Sequence, residues 1–168
     1  MAGKVIGKTL PFGFRGNPSR NPDTLIDSFV NTGSANIEYG EPVVYDPSTK
    51  GVRKITSTDT GSVLVIGIAV RRVGQPYADS PSGYYYKQHD MVDVLIRGSV
   101  TVELAATTSI AAHGSVYVRN GTGGASKPAG GIVCASGDDA VQIPNAVFTT
   151  GEYDANNIAE ITILERSI

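Results

Sequence analysis

Two stretches decide the fold class: Val63-Leu64-Val65-Ile66-Gly67-Ile68-Ala69-Val70 and Ser99-Val100-Thr101-Val102-Glu103-Leu104. The first is almost continuously apolar, as a strand covered on both faces is. The second alternates polar and apolar strictly, the pattern of a half-buried strand. Shorter signals of the same kind surround them. Thr24 to Val30 precedes the turn residues Asn31-Thr32-Gly33-Ser34, and Pro42-Val43-Val44-Tyr45 precedes a turn at Asp46 to Gly51 and a run from Val52 to Ile55. Met91 to Arg97, Ser115 to Arg119, Ile132 to Ala135, Val141 to Ile143, Ala146 to Phe148 and Ile158 to Leu164 complete the series. No window sustains a 3.6-residue period; Leu104 to Ala112 is the best helix candidate and is short. With 20 glycines and 9 prolines the chain is too rich in helix breakers for a bundle. The expected fold is all-β, a single β-sandwich, jelly-roll-like, or a small β-barrel, with an extended N-terminal arm.

The 168 residues suffice for one domain, or one domain and an arm. A chain near this length buries roughly 70% of its unfolded surface. Net charge is −2 and the pI about 5.6, which argues against a surface that grips nucleic acid throughout. Hydrophobic residues make up 40% and charged ones 18%, unlike a disordered polyelectrolyte. No run approaches the ~20 apolar residues of a membrane span, and Met1 to Lys8 lacks the apolar stretch of a signal peptide, so a soluble protein made in a cytoplasm is expected. Cys134 is the lone cysteine, so no intrachain disulfide forms, and its apolar setting reads as core.

Residues 1 to 22 differ from the rest. They carry Lys4, Lys8, Arg15 and Arg20, no acidic residue, and Pro11, Pro18 and Pro22. The glycines and prolines between Gly7 and Pro18 exclude a helix or regular strand there, so residues 1–22 read as an extended arm and 23–168 as the β domain. Val5, Ile6, Leu10, Phe12 and Phe14 suit a segment that lies across its own domain or a neighbour, since ordering each residue costs about 1–2 kcal/mol. A weak internal echo links Ile37 to Tyr45 followed by Gly67 to Val70 with Ile110 to Val118 followed by Gly131 to Cys134. It reads either as two similar sheet elements or as coincidence among Gly- and Val-rich strands.

No site for chemistry emerges. His89 and His113 are the only histidines, no Gly-x-Ser-x-Gly elbow is present, and Asp138-Asp139 stands without a calcium-loop pattern. No metal and no cofactor is expected. Asn120 to Lys127 is Gly-rich but ends Ser126-Lys127-Pro128 instead of the Gly-Lys-Ser/Thr of a phosphate loop, so a hairpin tip is favoured; the Asn120-Gly121-Thr122 sequon has no secretory signal to give it meaning. Gln75 to His89 gathers Tyr77, Tyr84, Tyr85 and Tyr86, four of the eight tyrosines. Tyrosine suits contact surfaces, so an interface is favoured over the alternative that these rings close the end of their own sandwich.

Met1 to Leu10, Arg97-Gly98-Ser99-Val100-Thr101-Val102, Gly114-Ser115-Val116-Tyr117-Val118-Arg119 and Asp154 to Leu164 resemble the structural cement, or capsid decoration, proteins of tailed bacteriophages. The tyrosine loop and Asn120 to Gln142 match least. The resemblance implies a non-enzymatic virion protein on the outer surface of an assembled phage head. It would be a homo-oligomer, dimer or trimer, that bridges neighbouring major capsid subunits against the pressure of packaged DNA, with no nucleic acid or membrane partner. On charge and exposure, Lys4, Lys8, Leu10, Phe12, Phe14, Arg15 and Arg20 are the capsid-contact candidates, and Tyr77, Tyr84, Tyr85 and Tyr86 the oligomer or capsid interface candidates. The alternatives are a phage tail or fibre module that binds a host-surface glycan, and a hydrolase built around His89 and Asp90.

Overall fold

The computed structural model describes residues 12–59, 65–71, 85–106 and 109–165. Among them the regular elements are all strands: β1 (Pro18–Val30), β2 (Ile37–Glu38), β3 (Pro42–Asp46), β4 (Gly51–Lys54), β5 (Val65–Ala69), β6 (Tyr85–Tyr86), β7 (Met91–Glu103), β8 (Ser115–Arg119), β9 (Ile132–Val133), β10 (Ala140–Tyr153) and β11 (Ile158–Ile163). Nine strands form one antiparallel sheet in the order β4-β3-β5-β7-β11-β10-β8-β9, with β1 on β7, and β2 pairs with β6 separately. The sheets fold over one another as a sandwich. The sheet ends curl back through single parallel bridges, Asn31 to Val52 and Leu104 to Ile132, without closing a barrel.

Two hydrophobic cores explain the pattern. One holds Ile37, Val43, Val52, Ile66, Ala69, Tyr86, Val92, Val94 and Ile96. The larger holds Val65, Ile68, Leu95, Val100, Val102, Val116, Phe148 and Ile161, among others. β5 lies between them and is buried at every position, which is why its sequence is continuously apolar. β7 serves both, and it does so by changing parity. Up to Ile96 its even-numbered residues enter the smaller core, with Leu95 in the larger; from Val100 the even-numbered residues enter the larger core. The change falls at Gly98, whose φ of 116° belongs to glycine, and a Cβ there would stand 2.8 Å from the Asp23 carbonyl oxygen. The two runs expected on either side of Arg97 are therefore one bent strand. β10 likewise merges two expected runs: Pro144 and Asn145, at φ 57°, interrupt its pairing with β8 between Gln142 and Val147.

Three further expectations meet the structure here. The described part of Leu104 to Ala112 is not helical; Leu104 bridges to Ile132 and the Ala105 N–H donates to the Ile132 carbonyl. The boundary drawn between residues 22 and 23 falls inside β1. The internal echo has a topological counterpart, since the apolar strand of each half pairs antiparallel with the strand that opens it, β5 with β3 and β9 with β8. Asn120 is buried and donates from Nδ2 to the Asp59 carbonyl at 3.2 Å, and the Gly-rich stretch after it is an exposed tip between β8 and β9.

Gly67 leaves room for β7 against β5, because a methyl group there would collide with the Leu95 carbonyl oxygen. Gly67→Ala is expected to cost about 2–3 kcal/mol of stability in urea unfolding. A loss within the ordinary scatter of surface substitutions would show that the two cores do not need this contact.

Candidate functional site

The segment from Phe12 to Asn17 has no ladder of its own, as its glycines dictate, and is fastened to the domain as a strap. The Gly16 N–H donates to the Thr101 carbonyl at 2.6 Å, the Thr101 N–H to the Asn17 carbonyl at 3.0 Å, and the Arg71 N–H to the Gly16 carbonyl at 2.6 Å. The Thr101 hydroxyl donates to the Phe14 carbonyl at 2.6 Å. At the start of the strap the Phe12 N–H donates to Asp154 Oδ2 at 3.0 Å. The other oxygen of Asp154 accepts the Asn156 and Ile158 N–H groups, so one buried carboxylate shapes the β10–β11 turn and holds the strap.

Charge completes the fastening. Arg15 reaches Glu38 at 2.6 Å and Glu103 at 3.2 Å. Arg20 grips Glu160 with Nε and Nη2, at 3.0 and 2.9 Å, and the Ser19 hydroxyl donates to the same carboxylate at 2.6 Å. Glu160 sits on β11 and is 4% exposed. Burial pushes its carboxyl up, but the hydrogen bonds from Arg20 and Ser19 and the guanidinium charge outweigh burial and hold it below the usual carboxylate range. Arg20 is raised in turn by its hydrogen bond to Glu160. A second ionic cluster lines the neighbouring cleft of about 310 Å³, where Lys54 Nζ meets Glu41 Oε1 at 2.6 Å. Burial raises the Glu41 carboxyl despite this lysine.

The sequence candidates thus separate. Arg15 and Arg20 engage acidic groups of their own domain. Phe12 is half-buried, whereas Phe14 is 67% exposed, with the Arg71 guanidinium 4.7 Å from its ring centroid. Phe14 borders a surface cleft whose walls include Gly13, Tyr39, Asn156 and Ile158. Tyr85 and Tyr86 are buried on β6; Tyr86 stacks edge-on against Tyr39 at 5.2 Å and donates its hydroxyl to the Val70 carbonyl at 2.8 Å. Those two rings close their own domain. Lys4, Lys8, Leu10, Tyr77 and Tyr84 lie outside the described residues. His89 and His113 occupy exposed turn positions with φ of 69° and 60°, and the Asp90 carboxylate next to His89 accepts the Lys87 N–H at 2.8 Å.

Sequence reasoning missed the strap's receptors. The alternation in β7 sends Ser99 and Thr101 to solvent, yet both are buried. The signal that could have found them is Glu160, an acid inside the apolar run Ile158 to Ile163, which requires a partner from elsewhere in the chain.

Among the described residues the chain is thus an all-strand sandwich with a strapped N-terminal segment and an outward-facing aromatic. The chain matches the family of structural cement proteins (E217 gp24/Pam3 gp6) over residues 3–164 and belongs to that family. A solved chain from the capsid of Myoviridae phage XM1 has the same fold, with a TM-score of 0.72 at 18% identity over 98% of each chain. No curated protein matches the sequence. The protein is therefore a structural component associated with the phage capsid, and its place is the virion.

Because Glu160 is depressed in the folded state, its contribution to stability is complete above the ordinary carboxylate pKa and is lost as pH falls through its lower folded value. Glu41, raised, has the opposite sign: its unfavourable contribution is relieved on acidification. Arg20→Ala is expected to lower stability at neutral pH by about 1–3 kcal/mol, and its deficit relative to the wild type is expected to narrow as pH falls and Glu160 takes up a proton. Urea titrations from neutral into acidic pH check this; a deficit that stays constant would mean that the Arg20–Glu160 clasp does not hold the strap.

Proposed function

We propose that this protein binds the outer surface of the assembled phage head, where copies associate with one another and bridge neighbouring major capsid subunits against the pressure of packaged DNA. The observation that carries this reading is Phe14. A ring this exposed is held out by a strap whose backbone and flanking arginines are fixed from both sides. An aromatic with a cation stacked on it is the kind of anchor that dominates protein interfaces. The cationic part of the contact then falls to Lys4 and Lys8, with Leu10 as apolar neighbour, because Arg15 and Arg20 already have internal partners. Phe12 contributes by fixing where the strap begins. A modest interface suffices for each copy: whatever binds only the assembled shell stabilises it by mass action, and the contact repeats over the whole shell.

Co-sedimentation with expanded, undecorated heads tests the proposal. Saturable binding at a fixed ratio to capsid subunits is expected. Phe14→Ala should weaken it at least about tenfold without changing thermal stability. Removal of residues 1–11, which leaves the described strap intact, should weaken it further and steepen neither unfolding nor aggregation. Absence of binding to matched heads would overturn the reading.

A further inference from the structure

The Gly-rich tip between β8 and β9 opens with Asn120-Gly121, the one place in the 168 residues where glycine follows asparagine. Asn17 and Asn21 precede proline, and every other asparagine precedes a residue with a side chain. Both members of the pair answer a structural demand. Gly121 has a φ of 88°, and a Cβ there would stand 3.1 Å from the Ala129 Cβ. Asn120 is 1% exposed, and its amide works at both ends. Nδ2 donates to the Asp59 carbonyl at 3.2 Å, while Oδ1 accepts the Thr122 N–H at 3.0 Å and the Thr122 hydroxyl at 2.8 Å. A carboxylate has no donor for this task, and a hydroxyl has one atom for both ends. The acceptor is itself anchored. The Asp59 carboxylate takes two hydrogen bonds from Arg53, at 2.6 and 2.7 Å, and one from the Thr56 N–H at 2.7 Å. Asn120 therefore joins the tip to the turn that follows β4.

We propose that Asn120 is a site of spontaneous deamidation that the fold holds closed, and that its modification unties this joint permanently. Asparagine before glycine is the dipeptide most open to the reaction, because no side chain shields the glycine nitrogen. The Gly121 nitrogen gives its proton to hydroxide and attacks Asn120 Cγ. A C–N bond forms, the Cγ–Nδ2 bond breaks, and Nδ2 leaves as ammonia after taking a proton from water. Water then opens the cyclic imide at either carbonyl and leaves aspartate or isoaspartate. The sum is one water taken up and one ammonia released. In the folded chain three hydrogen bonds fix the Asn120 side chain, whereas ring closure has to turn Cγ onto the Gly121 nitrogen and expel the Nδ2 that Asp59 holds. The reaction therefore waits on opening of the tip. In the aspartate product an acceptor oxygen takes the place of Nδ2 and faces the Asp59 carbonyl oxygen in a buried site. The isoaspartate product adds a backbone methylene to the turn. Neither remakes the joint. Nothing in this depends on binding to the shell.

Peptide mass mapping of the purified full chain, held at mildly alkaline pH with and without urea, tests the proposal. The peptide that contains Asn120 should gain the roughly 1 Da of an amide turned acid, at least about tenfold faster in urea than in the folded protein. In urea every other asparagine should lag behind it. Thr122→Ala, which removes one of the three holds, should speed the reaction of the folded chain and leave the rate in urea unchanged. Asn120→Asp should lower the urea midpoint of unfolding. Equal rates with and without urea would overturn the protection, and an Asn120 that stays intact in urea would overturn the site. An Asn120→Asp chain with the wild-type midpoint would overturn the joint.

Discussion

The structure depends on one strand that faces two cores. β7 pairs with β5, β11 and β1, and its side chains are divided between both hydrophobic clusters. A strand with simple two-residue alternation serves one core per face. β7 does more because Gly98 displaces the alternation by one position halfway along. Its first half thereby closes the smaller core while its second half opens onto the larger one. The sheet can then curl towards both sides without two separate domains. The parity change also decides which polar residues are available outside, and the strap lies on those.

The strap is a polar solution to a polar problem. Ser99, Thr101 and Glu160 stand on the face of β7 and β11 that a free sheet would show to water, and all three are buried. A buried carboxylate without a partner is costly, so the strap and its receptors depend on one another. Arg20 and Ser19 satisfy Glu160, Ser99 shares a hydrogen bond with Thr162 at 2.8 Å, and Thr101 holds the strap backbone. The result is specificity of placement more than a large gain in stability, because the salt bridge is half open to solvent at the arginine. What it fixes is the course of the strap over the domain, and hence where Phe14 stands.

The fold class was legible because strand periodicity and breaker content are local. Val63 to Val70 announced a strand covered on both faces, and β5 is that strand. The absence of a helical period in the rest was as informative. The joins were not legible. Whether Arg97-Gly98-Ser99 ends a strand or bends it depends on which core each half faces, and that is set by partners far away in sequence. The fate of Arg15 and Arg20 was hidden for the same reason: a cation in an acid-free segment reads as free until Glu38, Glu103 and Glu160 are brought to it by folding. Tyr85 and Tyr86 show the converse. A run of tyrosines suits an interface or a core margin; Tyr39 and the Val70 carbonyl assign Tyr86 to the core, and Tyr85 beside it on β6 is buried.

These assignments leave the outward surface with a clear division. The domain satisfies its buried charges internally, so little of its electrostatics is held in reserve along the strap. Among the described residues, exposed large apolar side chains remain at Phe14 on the strap, at Leu25, Ile26, Val30 and Met91 on β1 and β7, and at Tyr153 and Leu164 beside the β10–β11 pair. On the proposed reading, a protein that links shell subunits needs more than one contact, since a single contact decorates a shell without linking its parts, and apolar groups set apart on the surface suit that need. Each such contact can remain weak, because the assembled state multiplies it.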